Sequence, residues 1–549
     1  MKLISKIGWG SAVALPLAFL IIFFMWPVGA MLLRGLFGVD AAEASFLGGM
    51  VDLLREERTW QIIWQTLWMA VAGAFFSILC GVPAAYLLYL HDFPGRQLLR
   101  GLLTIPFVLP TVVVGIAFRS LLGGPLAFLN MANTPWAVVL AMVFFNCGLI
   151  TRMVGNMWAS LDPCTEQAAR TLGASPYRAF FSITLPQLAP AIAAAGGLAF
   201  LYCSTAYGVV TTLGNPGYGT IETEIYIQTV TFFDLDKAAM LSVLQFIIVL
   251  LALIVGTRLT ARTETALQVR PRSRRSLRQA PLLPKIITVL AVLLVLFPIA
   301  SLILNSFRYQ GHWTLDNYRL LSTTGFGFSG GTSVLEAIDH SVRIAFDSMI
   351  FALLVSVPLA LVLSRRVQGK WLQAQRFLDG VTLLPLGVSA VTVGFGFLIT
   401  FAGTDIANSG LIVPLAQSVV ALPLVIRSLV PLLRAIDPRM REAASVLGAT
   451  PAQVLRTIDM PFLLRGIGLA AGFAFAVSLG EFGATSFLAD PAYLTLPVVI
   501  VKLLSRAGQN NYGMALAGAV LLAVVTAFVI ISAEFIGSRN RDEQRIGQI

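Results

Sequence analysis

One pattern occurs twice in this sequence: DPCTEQAARTLGASP at residues 162–176 and DPRMREAASVLGATP at residues 437–451. Each copy runs on to a second short match, ITLP at residues 183–186 and IDMP at residues 458–461. We call residues 162–186 the first loop and residues 437–461 the second loop. The offset between them is constant at 275 residues, from 162 to 437 and from 186 to 461.

The repeat extends far beyond the two loops. The same offset pairs Pro83 with Pro358 and Gly208 with Gly483. Self-similarity over so long an ungapped span indicates duplication of a whole structural unit. The predicted divisions are a first half at 1–257, a basic linker at 258–283 and a second half at 284–549.

The composition is that of an integral membrane protein. Of 549 residues, 57% are hydrophobic and only 12% are charged, whereas a soluble domain carries about 25% charged residues. The net charge of +11 could suggest nucleic acid, but Arg and Lys retained on the cytoplasmic side of a membrane explain it better. The four cysteines lie in apolar runs or in the first loop, so no disulfide framework is indicated.

Apolar runs long enough to cross a bilayer as helices recur along both halves. The expected fold is an all-α polytopic membrane protein with about twelve transmembrane helices in two parallel six-helix halves. A cleaved signal peptide is the alternative for the first run, but that run is too long for a signal core. The predicted spans lie near 9–33, 62–90, 98–122, 137–158, 188–213, 238–258, 284–306, 341–364, 374–401, 409–431, 464–488 and 513–536.

Orientation follows from the distribution of arginine and lysine in short connections. The linker contains seven arginines against one acid, Glu264, Lys285 follows directly after it, and both loops contain arginine. We therefore expect both termini, the linker and both loops to face the cytoplasm. The seven linker arginines are Arg258, Arg262, Arg270, Arg272, Arg274, Arg275 and Arg278.

Each loop has the signals of a short helix, a sharp turn and a second helix. Asp-Pro supplies an N-cap and a first helical residue. Gly173 or Gly448 then offers the left-handed conformation that ends a helix, and a second cap-plus-proline start follows. The small pairs Ala168-Ala169 and Ala443-Ala444 would let a partner approach closely.

This pattern resembles the EAA loop of importer-type ABC transporter permeases, and the resemblance covers nearly the whole chain. It implies the type I importer permease fold, with each loop docking on an ATPase subunit. One position departs from the family: the first loop has Gln167 where an acid is usual, with Glu166 one place earlier. The residues that the resemblance assigns to ATPase coupling are Glu166, Gln167, Ala168, Ala169, Gly173, Pro186, Glu442, Ala443, Ala444, Gly448 and Pro461.

The resemblance also implies partners. The chain has no ATP-binding loop of the Walker A type. The nearest fragment, Gly369-Lys370-Trp371, lacks the preceding Gly and the following Ser or Thr. Separate ATPase subunits, expected to be two, and an extracytoplasmic solute-binding protein would complete the system. Segments at Val143–Asn146 and Thr220–Tyr226 look like the thiamine permeases, and Ser478–Thr485 also looks like iron, molybdate and sulfate permeases. Thiamine and ferric iron are thus the two expected substrates, with thiamine preferred.

Residues for the transport pathway are suggested by polar groups within apolar runs. Glu481 lies near the end of the eleventh span, where an acid is a functional candidate, although a structural contact fits it nearly as well. Its counterpart is Ala206, among Tyr202, Thr205 and Tyr207.

No catalytic residues, metal site or bound cofactor are expected in this chain. Its three histidines are scattered along the sequence and form no set with metal-ligand spacing. The rival function is a proton- or sodium-coupled secondary transporter, which also suits two parallel six-helix repeats but has no need of the two loops.

Overall fold

The computed structural model describes residues 13–37, 48–107, 109–261, 275–328, 330–365 and 369–546, and these residues are almost wholly helical. The expected start of the first span before residue 13 lies outside the described residues, as do Arg262, Arg270, Arg272 and Arg274 of the linker.

The helices up to residue 261 belong to the first repeat. They are α1 (Val13–Phe37), α2 (Gly48–Arg55), α3 (Glu57–Leu90), α4 (Arg96–Thr104), α5 (Thr111–Leu122), α6 (Pro135–Ser160), α7 (Pro163–Thr171), α8 (Pro176–Ala179), α9 (Leu185–Ser204), α10 (Gly208–Leu213), α11 (Ile221–Tyr226) and α12 (Leu235–Ala261).

The helices from residue 282 onward belong to the second repeat. They are α13 (Leu282–Ser306), α14 (Asp316–Arg319), α15 (Val334–Leu363), α16 (Lys370–Leu383), α17 (Ala390–Phe401), α18 (Ile412–Arg434), α19 (Pro438–Val446), α20 (Pro451–Val454), α21 (Met460–Leu479), α22 (Thr485–Leu488), α23 (Leu496–Ser505) and α24 (Gln509–Ile546).

Short elements fill the connections. A parallel pair joins β1 (His91–Asp92) to β2 (Arg275–Ser276), and an antiparallel pair joins β3 (Arg308–Tyr309) to β4 (His312–Trp313). The 3₁₀ turns are Ile105–Phe107, Ala127–Leu129, Pro216–Tyr218, Leu277–Gln279, Leu320–Ser322 and Leu384–Gly387. The π-helical turns are Ile21–Met25, Phe180–Thr184, Ile227–Thr231 and Leu455–Asp459.

The number of spans agrees with the sequence prediction. Among the described residues, nine helices are long and apolar enough to cross a membrane, and the number is twelve if each of three bent helix pairs counts as one span. The bent pairs are Arg96–Phe107 with Thr111–Leu122 (105°), Leu372–Gly387 with Ala390–Phe401 (96°), and Pro451–Leu464 with Gly466–Leu479 (49°).

Two predicted spans are therefore not single helices. The stretches near 98–122 and 374–401 each turn by more than 90° at a proline-containing 3₁₀ segment. Pro106 and Pro110 in the first stretch, and Pro385 in the second, lack the amide hydrogen that would continue the ladder, and their rings clash with the preceding turn. The predicted fifth and eleventh spans are also shortened, since α9 ends at Ser204 and α21 at Leu479.

The chain divides into two compact units. Unit A comprises Met50–Ile227 and Leu244–Thr314. In it α3, α6 and α9 pack against one another, and α13 packs on α3 and α5. Phe118 and Phe144, both fully buried, meet edge to face in its core with ring centroids 5.5 Å apart.

Unit B comprises Met1–Gly49, Gln228–Val243 and Leu315–Ile549. In it α15, α18 and α21 pack against one another, with α24 on α21 and α23. The first helix, α1, packs on α17, where Phe23 lies 5.9 Å from the ring of Phe401.

Each repeat thus contributes its first helix to the unit formed mainly by the other repeat. Helix α1 belongs to unit B and α13 to unit A. The divisions at 1–257, 258–283 and 284–549 mark the duplication in the sequence, whereas the compact units are formed after an exchange of first helices.

Candidate functional site

The first loop begins with a capped helix. The Asp162 carboxylate accepts a hydrogen bond of 2.9 Å from the backbone N–H of Cys164, and Pro163 is the first residue of α7. After the turn, the Ser175 hydroxyl accepts from the N–H of Arg178 and starts α8. A π-helical turn at Phe180–Thr184 then leads into α9, with Pro186 as its second residue.

The second loop repeats this geometry. The Asp437 carboxylate accepts at 2.9 Å from the N–H of Arg439 and starts α19. Thr450 and Gln453 form a reciprocal capping box that starts α20. The π-helical turn Leu455–Asp459 leads into α21, so even this irregular turn keeps the 275-residue offset.

The turn between the two helices requires glycine in both loops. Gly173 has φ +88° and Gly448 has φ +82°, a left-handed conformation that costs other residues about 1–2 kcal/mol. The next residue closes each helix, with Ala174 N–H donating to Ala169 at 3.0 Å and Ala449 N–H to Ala444 at 2.9 Å. This is a Schellman motif, and it confirms the predicted helix, turn and helix.

Neither α7 nor α19 contains a buried residue. Gln167 and Glu442 are exposed at the same register, so an amide in the first loop takes the position of the acid in the second, and Glu166 is half-buried beside it. The predicted alanine pairs also lie on this surface: Ala168 and Ala443 are exposed, and Ala169 and Ala444 are half-buried.

Sequence reasoning missed a pair of apolar residues at the same turns. Leu172 is 89% exposed and Leu447 is 87% exposed, each directly before the glycine. A large apolar side chain that projects from a capped helix end suits a partner's pocket, as exposed apolar groups often mark interaction sites. The sequence did contain a signal for this pair, because Leu172 and Leu447 are related by the 275-residue offset.

The carboxyl ends of α3 and α15 are capped by matching side chains. Arg100 donates to the Leu88 carbonyl at 3.0 Å and 2.6 Å. At the equivalent register Gln375 donates to the carbonyls of Leu363, at 3.0 Å, and Arg365, at 2.9 Å. The last carbonyls of a helix lack intrahelical donors, so these side chains stabilise the two helix ends.

A buried carboxylate lies under the second loop. Asp459 is fully buried, accepts from Arg441 Nε at 2.8 Å and forms a short ion pair with Arg365. The two arginine side chains are themselves only 16% and 22% exposed. Arg441 also donates to the Leu433 carbonyl near the end of α18, at 3.3 Å.

A cavity of about 690 Å³ lies next to this ion cluster. Its polar lining includes Arg365, Arg434, Arg441, Gln375 and Glu442, and its apolar lining includes residues at the end of α15. Helix α19 therefore borders open space over part of its surface. Ionic contacts of Arg441, rather than close apolar packing, connect it to the membrane helices.

Three candidate pathway residues lie in unit A. Tyr207 is buried and its ring centroid lies 5.7 Å from that of Tyr226. Tyr202, half-buried, meets the exposed ring of Phe107 at 5.9 Å. Thr205 donates to the Leu201 carbonyl at 3.0 Å and so bonds back to its own helix end.

The fourth candidate, Glu481, lies in unit B and caps a helix. Its carboxylate accepts from the N–H of Ala484 at 2.7 Å and from both the N–H and the hydroxyl of Thr485, at 3.0 Å and 2.6 Å. Gln417 donates to the same hydroxyl at 2.9 Å. These bonds fix the carboxylate at the start of α22, as a structural contact would, and the place of Glu481 in the pathway stays a prediction.

Two further sequence predictions concern cysteine and metal. Cys80, Cys147, Cys164 and Cys203 are free thiols. Within the described ranges no group of three or more His, Cys, Asp or Glu side chains is placed to hold a metal ion.

Comparison with protein families shows to which family of transport proteins this chain belongs. The model of the binding-protein-dependent transport system inner membrane component matches the chain twice, at residues 77–269 and 352–542. The chain belongs to this family. It is a fused permease of the ABC importer type, with both copies of the family domain in one polypeptide, and this membership favours the ABC importer over a secondary transporter.

Individual relatives match over most of their length. The thiamine transport system permease protein ThiP of Brucella abortus (strain 2308) is 30% identical over 86% of this chain and 87% of its own. ThiP of Escherichia coli (strain K12) is 24% identical over 82% of this chain and 85% of its own. A crystal structure of a bacterial ABC transporter that imports the acidic polysaccharide alginate shares 15% identity with a TM-score of 0.41, over 48% of this chain and all of that one.

Proposed function

We propose that this permease couples its transport pathway to two separate ATPase subunits, one on each loop. The observation that carries the proposal is the matched pair of capped helices, each ending at an exposed leucine and a left-handed glycine. A short, capped helix keeps its shape when pushed, so it can pass a partner's movement to the helices into which it leads.

The remaining partners and the orientation follow from the family and the charges. Both termini, the linker and both loops face the cytoplasm, where the ATPase subunits are, because the arginine-rich connections lie there. An extracytoplasmic binding protein delivers the substrate, which is supported by the family description of a binding-protein-dependent transport system. The chain binds no cofactor of its own; ATP is bound and hydrolysed by the partner subunits.

The mechanism is alternating access. Closure of the ATPase subunits on ATP moves α7 and α19 together, and these helices move the spans that follow them, α9 and α21. The pathway then opens to the outside, receives the substrate from the binding protein, and opens inward after hydrolysis. The chain performs gating and no covalent chemistry.

The proposed substrate is thiamine. The relatives named as thiamine permeases align with this chain over more than four fifths of its length. Thiamine is an aromatic organic cation, and cations of this kind bind well against aromatic faces. Tyr202 and Tyr207, with their ring neighbours Phe107 and Tyr226, provide such faces in unit A.

Ferric iron is the competing substrate, and the binding protein distinguishes the two. We would reconstitute the permease with the ATPase and binding protein encoded beside it, and measure ATP hydrolysis with thiamine and then with ferric iron. Stimulation by thiamine alone is expected. Stimulation by ferric iron alone contradicts the substrate, and failure of the ATPase to bind the permease contradicts the coupling function.

A substitution in the second loop tests whether this loop binds the ATPase subunit. Leu447→Ser removes an apolar side chain that is 87% exposed, so the fold should keep its stability. Burying a leucine contributes about 1.5–3 kcal/mol, so the affinity for the ATPase subunit should fall by roughly tenfold or more. Leu172→Ser is the matched variant on the first loop, and unchanged affinity in both would argue against docking at these turns.

A further inference from the structure

The two loops are attached to the membrane helices in different ways. In the second loop, Asp459 at the start of α21 holds Arg441 of α19 and Arg365 beyond the end of α15. Arg441 also reaches the Leu433 carbonyl of α18. One fully buried carboxylate and two arginines thus connect the exposed helix to three membrane helices.

The first loop cannot form the same cluster. At the constant offset, Arg365 corresponds to Leu90, Arg441 to Glu166 and Asp459 to Thr184. Leu90 has no charge, Thr184 has no carboxylate, and Glu166 has the charge opposite to that of its counterpart. The difference is one of residue chemistry at matched positions, within two loops whose backbone geometry is the same.

The cluster is suited to a rigid connection. Ion pairs taken out of water strengthen as the surrounding dielectric falls, and removal of one partner leaves a buried charge without compensation. Helix α19 has no buried residue and borders a cavity. Its orientation therefore depends on Arg441 more than on apolar packing.

We propose that Asp459, Arg365 and Arg441 are positioning residues that fix α19 to the membrane helices, so that the second loop transmits ATPase movement stiffly and the first loop yields more. This inference rests on the proposed coupling function, which assigns movement to the loops. It adds that the two loops are unequal and names the residues responsible.

Amide hydrogen exchange of the full-length permease in lipid nanodiscs tests the attachment directly. Amides in α19 should exchange more slowly than those in α7, by about tenfold or more. The triple variant Arg365→Leu, Arg441→Glu and Asp459→Thr installs the residues of the first half and leaves no buried arginine unpaired. It should remove the difference. Equal exchange of both helices in the wild-type protein, or a difference that survives the triple change, overturns the proposal.

Coupling in the assembled complex gives the second readout. With thiamine and its binding protein, the triple variant should still bind the ATPase but should transport less substrate per ATP hydrolysed, by about fivefold or more. Thr184→Val, at the register of Asp459, is the matched control and should change this ratio by less than about twofold. Arg441→Lys, which keeps the charge, should retain more of the ratio than Arg441→Gln.

Failure of this inference is distinguishable from failure of the proposed function. If the wild-type complex shows stimulated hydrolysis and the triple variant keeps the full ratio, the loops are equal and only the inference fails. If the wild-type permease does not bind the ATPase, the coupling function fails, whereas hydrogen exchange of the permease alone still reports on the attachment.

Discussion

Gly448 combines a backbone requirement with open space. Its φ is +82°, and a Cβ placed there would meet no atom within 4 Å. Gly448→Val should therefore cost about 1–2 kcal/mol through backbone conformation alone, which distorts the turn without disturbing the core. We expect normal insertion in the membrane and less transport per ATP hydrolysed.

Asparagine provides the control at this position, because it adopts the left-handed conformation more readily than β-branched residues do. Gly448→Asn should retain most of the coupling. Equal transport by the valine and asparagine variants would show that the turn conformation has no part in coupling.

Glu481 is held in place by several hydrogen bonds, and its replacement gives a second prediction. Its carboxylate accepts three hydrogen bonds from Ala484 and Thr485. A glutamine amide has one acceptor oxygen, so Glu481→Gln leaves buried donors unsatisfied, at about 1–3 kcal/mol. Thermal unfolding should show a clear loss of stability, with little change in the substrate concentration for half-maximal transport.

The opposite result would support a place for Glu481 in the pathway. Unchanged thermal stability together with a weakened substrate dependence would mean that the carboxylate meets the substrate. Thr485→Ser keeps the hydroxyl that Glu481 binds and serves as the control for small changes at this site.

At the residue scale the caps and turns of the loops were predictable from the sequence, whereas the assignment of the pathway residues stays a prediction. Asp, Pro and Gly at fixed positions have strong local preferences, so the caps and the turns at Gly173 and Gly448 followed directly from them. The bonding of Glu481 and the pairing of Asp459 with arginines 94 and 18 residues away depend on tertiary contacts. Local patterns do not encode such contacts.

At the scale of secondary structure elements, the two repeats use different side chains to cap the end of a membrane helix. Arg100 and Gln375 occupy the same register and each donates to carbonyls at the end of a membrane helix. Because glutamine suffices in the second repeat, Arg100→Gln should be tolerated. Arg100→Ala should lower the stability of the purified protein by about 1 kcal/mol, which thermal unfolding in detergent would detect.

A second contact of Arg100 supplies the result that would contradict this prediction. The guanidinium lies 3.7 Å from the centroid of the Tyr89 ring, a geometry that favours a cation–π interaction. If Arg100→Gln unfolds as early as Arg100→Ala, the ring contact rather than the carbonyl bond stabilises the helix end.

Hydropathy located the elements but not their bends. The stretches near 98–122 and 374–401 are apolar and of spanning length, yet each turns by about a right angle or more. Proline is tolerated within membrane helices, as Pro83 in α3 and Pro358 in α15 demonstrate. Its presence alone therefore could not separate a continuous helix from a broken one, because neighbouring helices decide which form is stable.

At the scale of the whole molecule, the exchanged first helices determine what can be separated. Cutting the chain within the linker, between Ala261 and Arg275, leaves α1 in one fragment and its partner α17 in the other. Co-expressed fragments should assemble and transport, since each supplies the helix that the other needs. Each fragment alone should be degraded or aggregate.

Affinity purification through a tag on one fragment measures this assembly. The untagged fragment should be recovered in equal amount. Recovery of either fragment alone as a stable, monodisperse protein would show that a repeat folds without its exchanged helix.

The exchange was not predictable from the repeat. A constant offset shows that two segments are homologous, but not which copy a helix packs against. The contact between α1 and α17 depends on residues such as Phe23 and Phe401, which are separated by most of the chain.

Helix α1 also meets its partner late during translation. At roughly 5–20 residues per second, the ribosome needs about 20–70 seconds to pass from Phe37 to Ala390. During this interval α1 must persist in the bilayer with lipid as its neighbour. Its surface suits prolonged contact with lipid, because only 28% of its most apolar window becomes buried in the finished protein. A charge introduced into α1 should therefore act during biosynthesis, by loss of the nascent chain from the membrane, before the folded permease exists.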